Sequence, residues 1–214
     1  MNLLFINLFT DNINIFLILV TSIISFIAFS NEKILHQSLH IPYEVNHRKQ
    51  WWRMVTSGFI HADGMHLFFN MISLYFLGGI VVTYFNNLFG SLGPWLYLLM
   101  YISAIIASDV PSYLKHKNNR SYSSLGASGA VSAVVFCFIW LDPWTMLTIN
   151  FIPMPAILYG VLYMAISYYL SQREGDNINH SAHMWGAAYG ILFLCVFQPS
   201  TLFRFIAKLI NPSF

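Results

Sequence analysis

The apolar residues of the chain fall into six helix-length runs, separated by segments that are polar or rich in turn-forming residues. An α-helix needs about 20 mostly apolar residues to cross a bilayer, a length that the runs reach or approach. The predicted spans are Ile13–Ser30, Met65–Tyr84, Trp95–Val110, Gly126–Leu141, Ala156–Leu170 and Ala182–Phe197. The pattern therefore predicts an all-α, polytopic membrane protein in which residues 1–214 form a single six-span domain.

The segments between the spans differ in character. The first loop, residues 31–64, carries four basic side chains beside Trp51 and Trp52, which is typical of a folded loop at the membrane interface. The loops Lys115–Ser124 and Ser171–Ser181 are polar, whereas Phe85–Pro94 and Asp142–Pro155 are short or apolar and contain turn signals. The tail, residues 201–214, is predicted to lie in the interface as a short helix, with Arg204 and Lys208 among the lipid head groups.

The composition agrees with a membrane protein. Hydrophobic residues make up 57% of the chain and charged residues only 8%, against roughly 25% charged residues in soluble proteins. The net charge of +2 is too small to indicate a nucleic-acid partner. Both cysteines, Cys137 and Cys195, lie in apolar runs and are predicted to pack rather than to pair. Since no basic region or cleavage site precedes it, the first run is predicted to be a retained span.

The segment Gly126-Ala127-Ser128-Gly129-Ala130, at the start of the fourth run, offers a candidate nucleophile. Glycine lets other backbone and a substrate come close to Ser128, and the free N–H groups of a helix start favour a negative charge there. The motif alone is a weak signal, because small residues at four-residue spacing are also typical of closely packed membrane helices.

Three further polar side chains are predicted at the same depth as Ser128. Spans two, four and six cross the membrane in one direction, so their N-terminal ends, with His66, Asn70, Ser128 and His183, lie on one side. Spans four and six would cover roughly 24 Å, less than the roughly 30 Å of the hydrocarbon core. Their first turns are therefore predicted to lie below the membrane surface, at the floor of a polar cavity.

Each of these side chains also has a purely structural interpretation. His66 and Asn70 lie four residues apart on one helix face and could simply bond across helices, although an ionisable group within a span indicates function by default. Gly186 and Gly190 after His183 allow close approach to another helix. If that helix is span four, His183 meets Ser128 and can accept and return its proton. For His61 a loop histidine is the favoured interpretation over a further polar partner.

Together the motifs resemble those of the rhomboid family of intramembrane serine proteases, over about Trp52 to Phe197. The matching residues are Trp52-Arg53, His61 with His66 and Asn70, Gly78-Gly79, Gly126-x-Ser128-Gly129, and Ala182-His183-x2-Gly186-x3-Gly190. In this order on spans two, four and six they are highly specific.

The resemblance implies roles for these residues. Ser128 would be the nucleophile, His183 the general base, and His66, Asn70 and the Ser128 backbone N–H the donors of an oxyanion hole. Trp52 and Arg53 would order the first loop. No cofactor and no metal are implied. The substrates would be transmembrane proteins with helix-weakening residues and a small residue at the cleavage point, entering from the lipid bilayer between spans two and five.

No acidic residue is predicted to lie close to Ser128 and His183. Asp109 and Asp142 fall in the ending portions of their spans, so a Ser-His dyad rather than a triad is predicted.

Two positions depart from the family pattern. Ser132 stands where many members have a tyrosine stacked on the catalytic histidine, which leaves the support of His183 to another group, such as His180 or a water. Val82 stands in place of an acidic residue after the glycine pair.

Other functions remain open at this point. One is a catalytically inactive relative that binds membrane-protein clients, although such relatives lack the serine or the histidine. Another is a transporter or channel, which needs polar groups at successive depths rather than at one end. The chain has no His-Glu-x-x-His zinc motif, and Gly175-Asp176 lies in a loop without a partner aspartate. The sequence specifies neither the client nor the oligomeric state.

The two signals for orientation conflict. The family resemblance predicts a plasma-membrane protein with a cytoplasmic N-terminus and an outward-facing active site. Cytoplasmic loops normally hold the excess of basic residues, yet eight of the ten lie on the active-site side. They are Lys33, Arg48, Lys49, Arg53, Lys115, Lys117, Arg120 and Arg173. Four of these belong to the folded first loop and count for less, but the other four still outnumber Arg204 and Lys208 on the opposite side. The family orientation is preferred because the specific motifs constrain the architecture more tightly than a few charges do.

Overall fold

The computed structural model describes residues 12–149, 152–173 and 178–212. The two ends of the predicted domain, the last two residues of the tail and the Gly175-Asp176 pair lie outside the described residues. Within them the protein is mostly helical. The helices are α1 (Ile13–Phe29), α2 (Glu32–Ser38), α3 (Pro42–Arg48), α4 (Arg53–Thr56), α5 (Gly64–Ser73), α6 (Gly79–Phe89), α7 (Gly93–His116), α8 (Ser128–Leu141), α9 (Ala156–Ser171), α10 (His180–Phe197) and α11 (Ser200–Ile210).

Helices α5 and α6 form one continuous rod, because a single π-helical segment, Leu74–Gly78, joins them. The following connection is much shorter than the predicted loop over Phe85–Pro94. It consists of the 3₁₀ turn Gly90–Leu92, in which Gly90 adopts a φ of 59° that favours glycine. Pro94 lies in the first turn of α7, where its missing N–H costs no helical hydrogen bond.

Helix α7 extends beyond the predicted end of span three at Val110. It continues through Pro111 to His116, since a proline removes one hydrogen bond of a helix without preventing the next turn from forming. The predicted loop Asp142–Pro155 also differs from expectation. It contains the short antiparallel strands β1 (Met146–Ile149) and β2 (Ile152–Pro155), with Met146 opposite Pro155.

The predicted folded first loop contains three short helices, α2 to α4, which a buried arginine joins. The Arg53 guanidinium donates to the carbonyl oxygens of His36 (2.7 Å) and Leu39 (2.9 Å), and its Nε donates to Gln50 Oε1 at 2.6 Å. Arg53 thereby satisfies carbonyls at the end of α2 while being only 4% exposed. Trp52 is 54% exposed and lies at the surface.

Helix α1 faces the rest of the protein with a stripe that contains three polar residues. Asn14, Leu17, Thr21 and Ser25 are buried at a spacing of three to four residues, which places them on one helix face. The Asn14 amide donates to the carbonyl oxygen of Leu74 in the π-helical segment (2.8 Å) and accepts from the Tyr97 hydroxyl (2.7 Å). A buried hydrogen-bond network therefore links α1, the π-helical segment and α7.

Helix α8 lies at the centre of the fold. Every residue from Gly129 to Ile139 is buried, with α7 and α10 packed against it. In contrast, the outer faces of the surrounding helices carry large exposed apolar side chains. Examples are Leu19, Ile23, Phe26, Phe68, Phe69, Phe76, Val161, Ile166, Leu192 and Val196. Such an extensive apolar exterior is what a protein surrounded by lipid presents.

Length and apolar composition single out one helical run in the described residues as able to span a membrane, Gly64–His116. With 53 residues it comprises two helical rods that meet at the Gly90 turn. Helices α10 and α11 meet the same criteria only when they are taken together, and the chain bends by 115° between them. Helices α1, α8 and α9 are apolar but shorter.

Candidate active site

Ser128 is the first residue of α8 and follows a tightly constrained turn. Gly126 has a φ of 116°, which favours glycine, and its N–H donates to the Ser57 carbonyl oxygen at 2.9 Å. A Cβ on Gly126 would lie 2.7 Å from the Cε1 atom of the His66 ring. Two independent constraints therefore require glycine here, and the second places His66 next to the turn that precedes Ser128.

Close backbone contact fixes α10 against α8. A Cβ on Gly186 would lie 2.0 Å from the Gly129 carbonyl oxygen, and one on Gly190 would lie 2.3 Å from that of Ala133. The expectation that these two glycines face the small residues of span four is confirmed. A Cβ on Gly129 itself would lie 2.1 Å from Ser108 Oγ, so the α8 backbone is closely packed against α7 as well.

This contact brings the turn of His183 beside the turn of Ser128. The Ala182 carbonyl oxygen lies 3.5 Å from the position of a Cβ on Gly129, and these two residues directly adjoin His183 and Ser128 in the chain. Ala182 and Ser128 also line the same water-sized cavity, of about 10 Å³. The His183 ring itself contacts the ring of Tyr163 (6.1 Å between centroids) and that of His180 (5.6 Å).

The close packing at Gly186 makes a testable prediction. Gly186→Val should force α10 away from α8, because its side chain would overlap the Gly129 carbonyl. We expect a lower melting temperature and the loss of covalent labelling of Ser128 by a fluorophosphonate probe. Gly79→Ala is the matched control, since a Cβ there meets no described atom within 4 Å. Wild-type melting and labelling in Gly186→Val would show that this contact does not hold the site.

His66 and Asn70 lie on α5, where Asp63 caps the helix by accepting from the His66 N–H at 2.8 Å. The structure brings His66 to the nucleophile turn through its contact with Gly126. Asn70 is buried, and its amide donates to the His66 carbonyl oxygen at 2.9 Å. One amide hydrogen of Asn70 is thus used within its own helix, and the second remains available as a donor.

His61 lies in a loop, as the favoured interpretation had it, but it is completely buried. The Ser25 hydroxyl donates to the Phe59 carbonyl oxygen (3.0 Å) and so accepts from His61 Nδ1–H (2.9 Å). His61 Nε2 is then free to accept the N–H of Ala127 at 3.4 Å. His61 therefore connects α1 to the residue immediately before Ser128.

Burial keeps His61 in this neutral form. Desolvation lowers the pKa of its imidazole to about 3, the neighbouring His66 lowers it further, and Asp63 opposes both effects. The imidazole is thus uncharged at neutral pH, with one nitrogen donating and the other accepting. The sequence could not distinguish this role from that of an ordinary loop histidine, because Ser25 and Ala127 are remote from it in the chain.

An acidic residue lies closer to Ser128 than the sequence predicted. Asp109 lies within α7 rather than at its end, and it lines the same small cavity as Ser128. Its carboxylate is 3.2 Å from Nδ1 of the buried His40, and its other oxygen lies 3.5 Å from the Asn179 amide. Asn179 caps α10 by accepting from the Ala182 N–H at 3.1 Å. Asp109 therefore contacts the cap of the helix that carries His183.

Comparison with known proteins settles the family. The family model of the rhomboid domain matches residues 48–200, which include the helices that carry His66, Asn70, Ser128 and His183 but not α1, α2 or His40. The chain belongs to the rhomboid family. It is an integral membrane protein of that family.

Three relatives illustrate the similarity. This rhomboid is 33% identical over 152 residues to RHOMBOID-like protein 12, mitochondrial, of Arabidopsis thaliana, a match that covers 63% of this chain and 43% of the relative. It is 30% identical over 148 residues to the human presenilin-associated rhomboid-like protein, mitochondrial (66% and 36%). It is 26% identical over 149 residues to a provisionally named rhomboid protease, YdcA, of Bacillus subtilis (69% and 68%).

The matches cover less than half of the length of the two mitochondrial relatives. The mitochondrial names give no support to the plasma membrane that the sequence predicted. The family includes serine intramembrane proteases, which is consistent with a Ser128 positioned at a helix start beside His183.

The Ser132 position of this rhomboid is linked to a residue that sequence reasoning missed. The Ser132 hydroxyl donates to the Ser128 carbonyl oxygen at 2.7 Å and lies 2.6 Å from the hydroxyl of Tyr163 on α9. The expected contact of His183 with His180 is present, and Tyr163 adds a second ring. No sequence signal marks Tyr163, because periodicity does not tell which residue of span five faces span four.

Proposed function

We propose that this rhomboid is an intramembrane serine endopeptidase that hydrolyses peptide bonds in or near transmembrane segments of other membrane proteins. The observation that carries the proposal is the seating of Gly186 on the Gly129 carbonyl, which brings the turn of His183 beside that of Ser128. Ser128 and His183 form the catalytic dyad, and His66, Asn70 and the Ser128 N–H form the oxyanion hole.

The reaction follows from these roles. His183 accepts the hydroxyl proton of Ser128 as the oxygen attacks the scissile carbonyl, and the resulting oxyanion is stabilised by the donors of the hole. His183 then returns the proton to the leaving amine, and the C–N bond breaks. A water, deprotonated by His183, attacks the acyl-enzyme and releases the new carboxyl terminus and Ser128.

Water must reach this site from outside the bilayer, and a cavity leads towards it. A space of about 410 Å³ is lined by His66, by the stretch Ser121 to Leu125, and by Asn179. Helix α8 has 14 residues and spans about 21 Å, so it can begin well below the surface of a bilayer whose core is about 30 Å thick. Leu125 and Asn179 line both this space and the small cavity of Ser128, so the two adjoin. We infer that six helical rods cross the membrane, formed by α1, α5 with α6, α7, α8, α9 and α10, and that Ser128 lies just beneath the floor of the larger space.

The test of the proposal is covalent labelling of Ser128. The purified protein in detergent or lipid should react with a fluorophosphonate probe, and mass spectrometry should place the adduct on Ser128. Ser132→Ala, which removes the neighbouring hydroxyl, is the matched control and should still be labelled. A wild-type protein that neither reacts with the probe nor cleaves any of a panel of transmembrane substrates would refute the proposal.

We propose the orientation that the family resemblance implies, and it predicts which loops are accessible from outside a cell whose plasma membrane holds the expressed protein. If the N-terminus and the tail are cytoplasmic, the loop after α7 lies outside, so Asn118→Cys should react with a membrane-impermeant thiol reagent on intact cells. Asn211→Cys, at the exposed end of α11, should react only after permeabilisation. The unsubstituted chain is the control, because any reaction of its native Cys137 and Cys195 gives the background labelling. The reverse pattern, which the distribution of basic residues favours, would contradict this orientation.

A further inference from the structure

From a third helix, Tyr163 contacts His183 of the proposed dyad and Ser132, which lies one turn after Ser128. It lies on α9, with its ring 6.1 Å from the His183 ring at an interplanar angle of 31°. Its hydroxyl lies 2.6 Å from Ser132 Oγ, one helical turn after Ser128.

The hydrogen-bond donors in this contact can be assigned. Ser132 has a single hydroxyl proton, and it is directed to the Ser128 carbonyl oxygen at 2.7 Å. Ser132 Oγ therefore accepts, and the Tyr163 hydroxyl donates. The chain Tyr163 to Ser132 to Ser128 fixes the end of the tyrosine side chain on the first turn of α8.

The Tyr163 ring is held along its sides as well. It packs against Phe136 of α8 (5.6 Å between centroids) and against Tyr159, one turn earlier on α9 (5.9 Å). With its hydroxyl and two ring contacts fixed, the ring can present a rigid aromatic surface to His183. Rings at such centroid distances attract each other in tilted arrangements.

We propose that Tyr163 is a positioning residue for His183, holding its imidazole in the orientation that accepts the Ser128 proton. This inference rests on the proposed protease function and adds a residue to it. A base that is free to rotate spends less time in reactive geometry, so losing the ring should lower turnover while substrate binding is kept. His180 also contacts the His183 ring. It should keep part of the orientation when Tyr163 is lost, so the loss of turnover should be partial.

The experiment compares three variants by their kcat and KM on a reconstituted transmembrane substrate. Tyr163→Leu removes the ring and should lower kcat about 3- to 10-fold, the range for loss of one aromatic contact, with KM within about twofold. Tyr163→Phe keeps the ring, so its decrease in log kcat should be less than half of that in Tyr163→Leu. Tyr168→Leu, which removes an exposed tyrosine of the same helix, is the matched control and should behave as wild type.

A relocation variant separates positioning from folding. Long side chains in a helix lean towards its N-terminus, so in the double variant S132Y/Y163S the tyrosine at position 132 should reach back over the first turn of α8. This swap should recover at least threefold in kcat over Tyr163→Leu. All variants are assayed at least 10 °C below their own melting temperatures, so that a loss of stability does not count as a loss of positioning.

The outcomes distinguish this inference from the proposed function. An active wild type with an unchanged kcat in Tyr163→Leu would overturn the role of Tyr163 alone. Equal losses in Tyr163→Phe and Tyr163→Leu would assign the effect to the hydroxyl and would also overturn it. A rise in KM at unchanged kcat would make Tyr163 a binding residue instead. A wild type that is inactive towards both probe and substrate would refute the protease function, and this inference with it.

Discussion

Replacing either member of the proposed dyad should remove essentially all cleavage of a transmembrane substrate. Ser128→Ala removes the nucleophile, and His183→Ala removes the group that accepts its proton, so neither variant can form the acyl-enzyme at a useful rate. Residues that act as a unit are strongly non-additive, so the double variant should be no slower than either single variant. The rate of product formation in lipid vesicles, followed over hours, measures all three.

The controls for this result exploit the surroundings of the dyad. Both variants should retain the wild-type melting temperature to within a few degrees, because neither alters the glycine contacts between α8 and α10. His180→Ala, one turn from His183, is the matched histidine control and should keep measurable turnover. Substantial activity in Ser128→Ala or His183→Ala would remove that residue from the proposed mechanism.

The positions of the main helices could be predicted because each depends on a local pattern. An apolar run such as Ala156–Leu170 predicts a helix without reference to any other segment, and α9 covers Ala156–Ser171. The contact between Gly186 and α8 was also predictable, since glycines four residues apart indicate that another backbone comes close. The end of α7 was not, because a turn signal such as Pro111 only weakens a helix that tertiary contacts can continue.

The contacts that complete the site depend on residues remote in sequence. His40 comes from the first loop and meets Asp109 of α7, and no local pattern links the two. The sequence therefore placed Asp109 near the end of its span. In the structure it lies within α7 and lines the cavity of Ser128. The sequence marked His61 without its contact to the Ala127 N–H, and it did not mark Tyr163 at all, for the same reason: each meets residues of distant segments near Ser128 or His183.

Loss of an oxyanion donor should give the second-largest effect on turnover. Charge develops on the carbonyl oxygen in the transition state, and one preorganised donor in a site shielded from water contributes roughly 3–4 kcal/mol. We therefore expect His66→Ala and Asn70→Ala each to lower kcat by about 100- to 1000-fold. Ser128 and His183 are intact in both, so fluorophosphonate labelling should be slowed in Asn70→Ala but not abolished.

His66 requires a variant that keeps its shape, because its ring packs against Gly126 and lies 5.0 Å from the His61 ring. His66→Phe preserves an aromatic ring without an N–H donor, and Asn70→Leu preserves the volume of the amide. If donation is what matters, these variants should be nearly as slow as the alanine variants while melting like wild type. His47→Ala and Asn118→Ala, at exposed positions, control for histidine and asparagine loss elsewhere.

The comparison of shape-preserving and truncating variants decides what each residue does. Asn70 donates one hydrogen to the His66 carbonyl, so a purely structural role predicts lower stability and little change in turnover for Asn70→Leu. A role in the oxyanion hole predicts a further effect: turnover falls far more than stability does, because the second amide hydrogen would then donate to the substrate. Unchanged kcat in Asn70→Leu would leave His66 and the Ser128 N–H to stabilise the oxyanion without it.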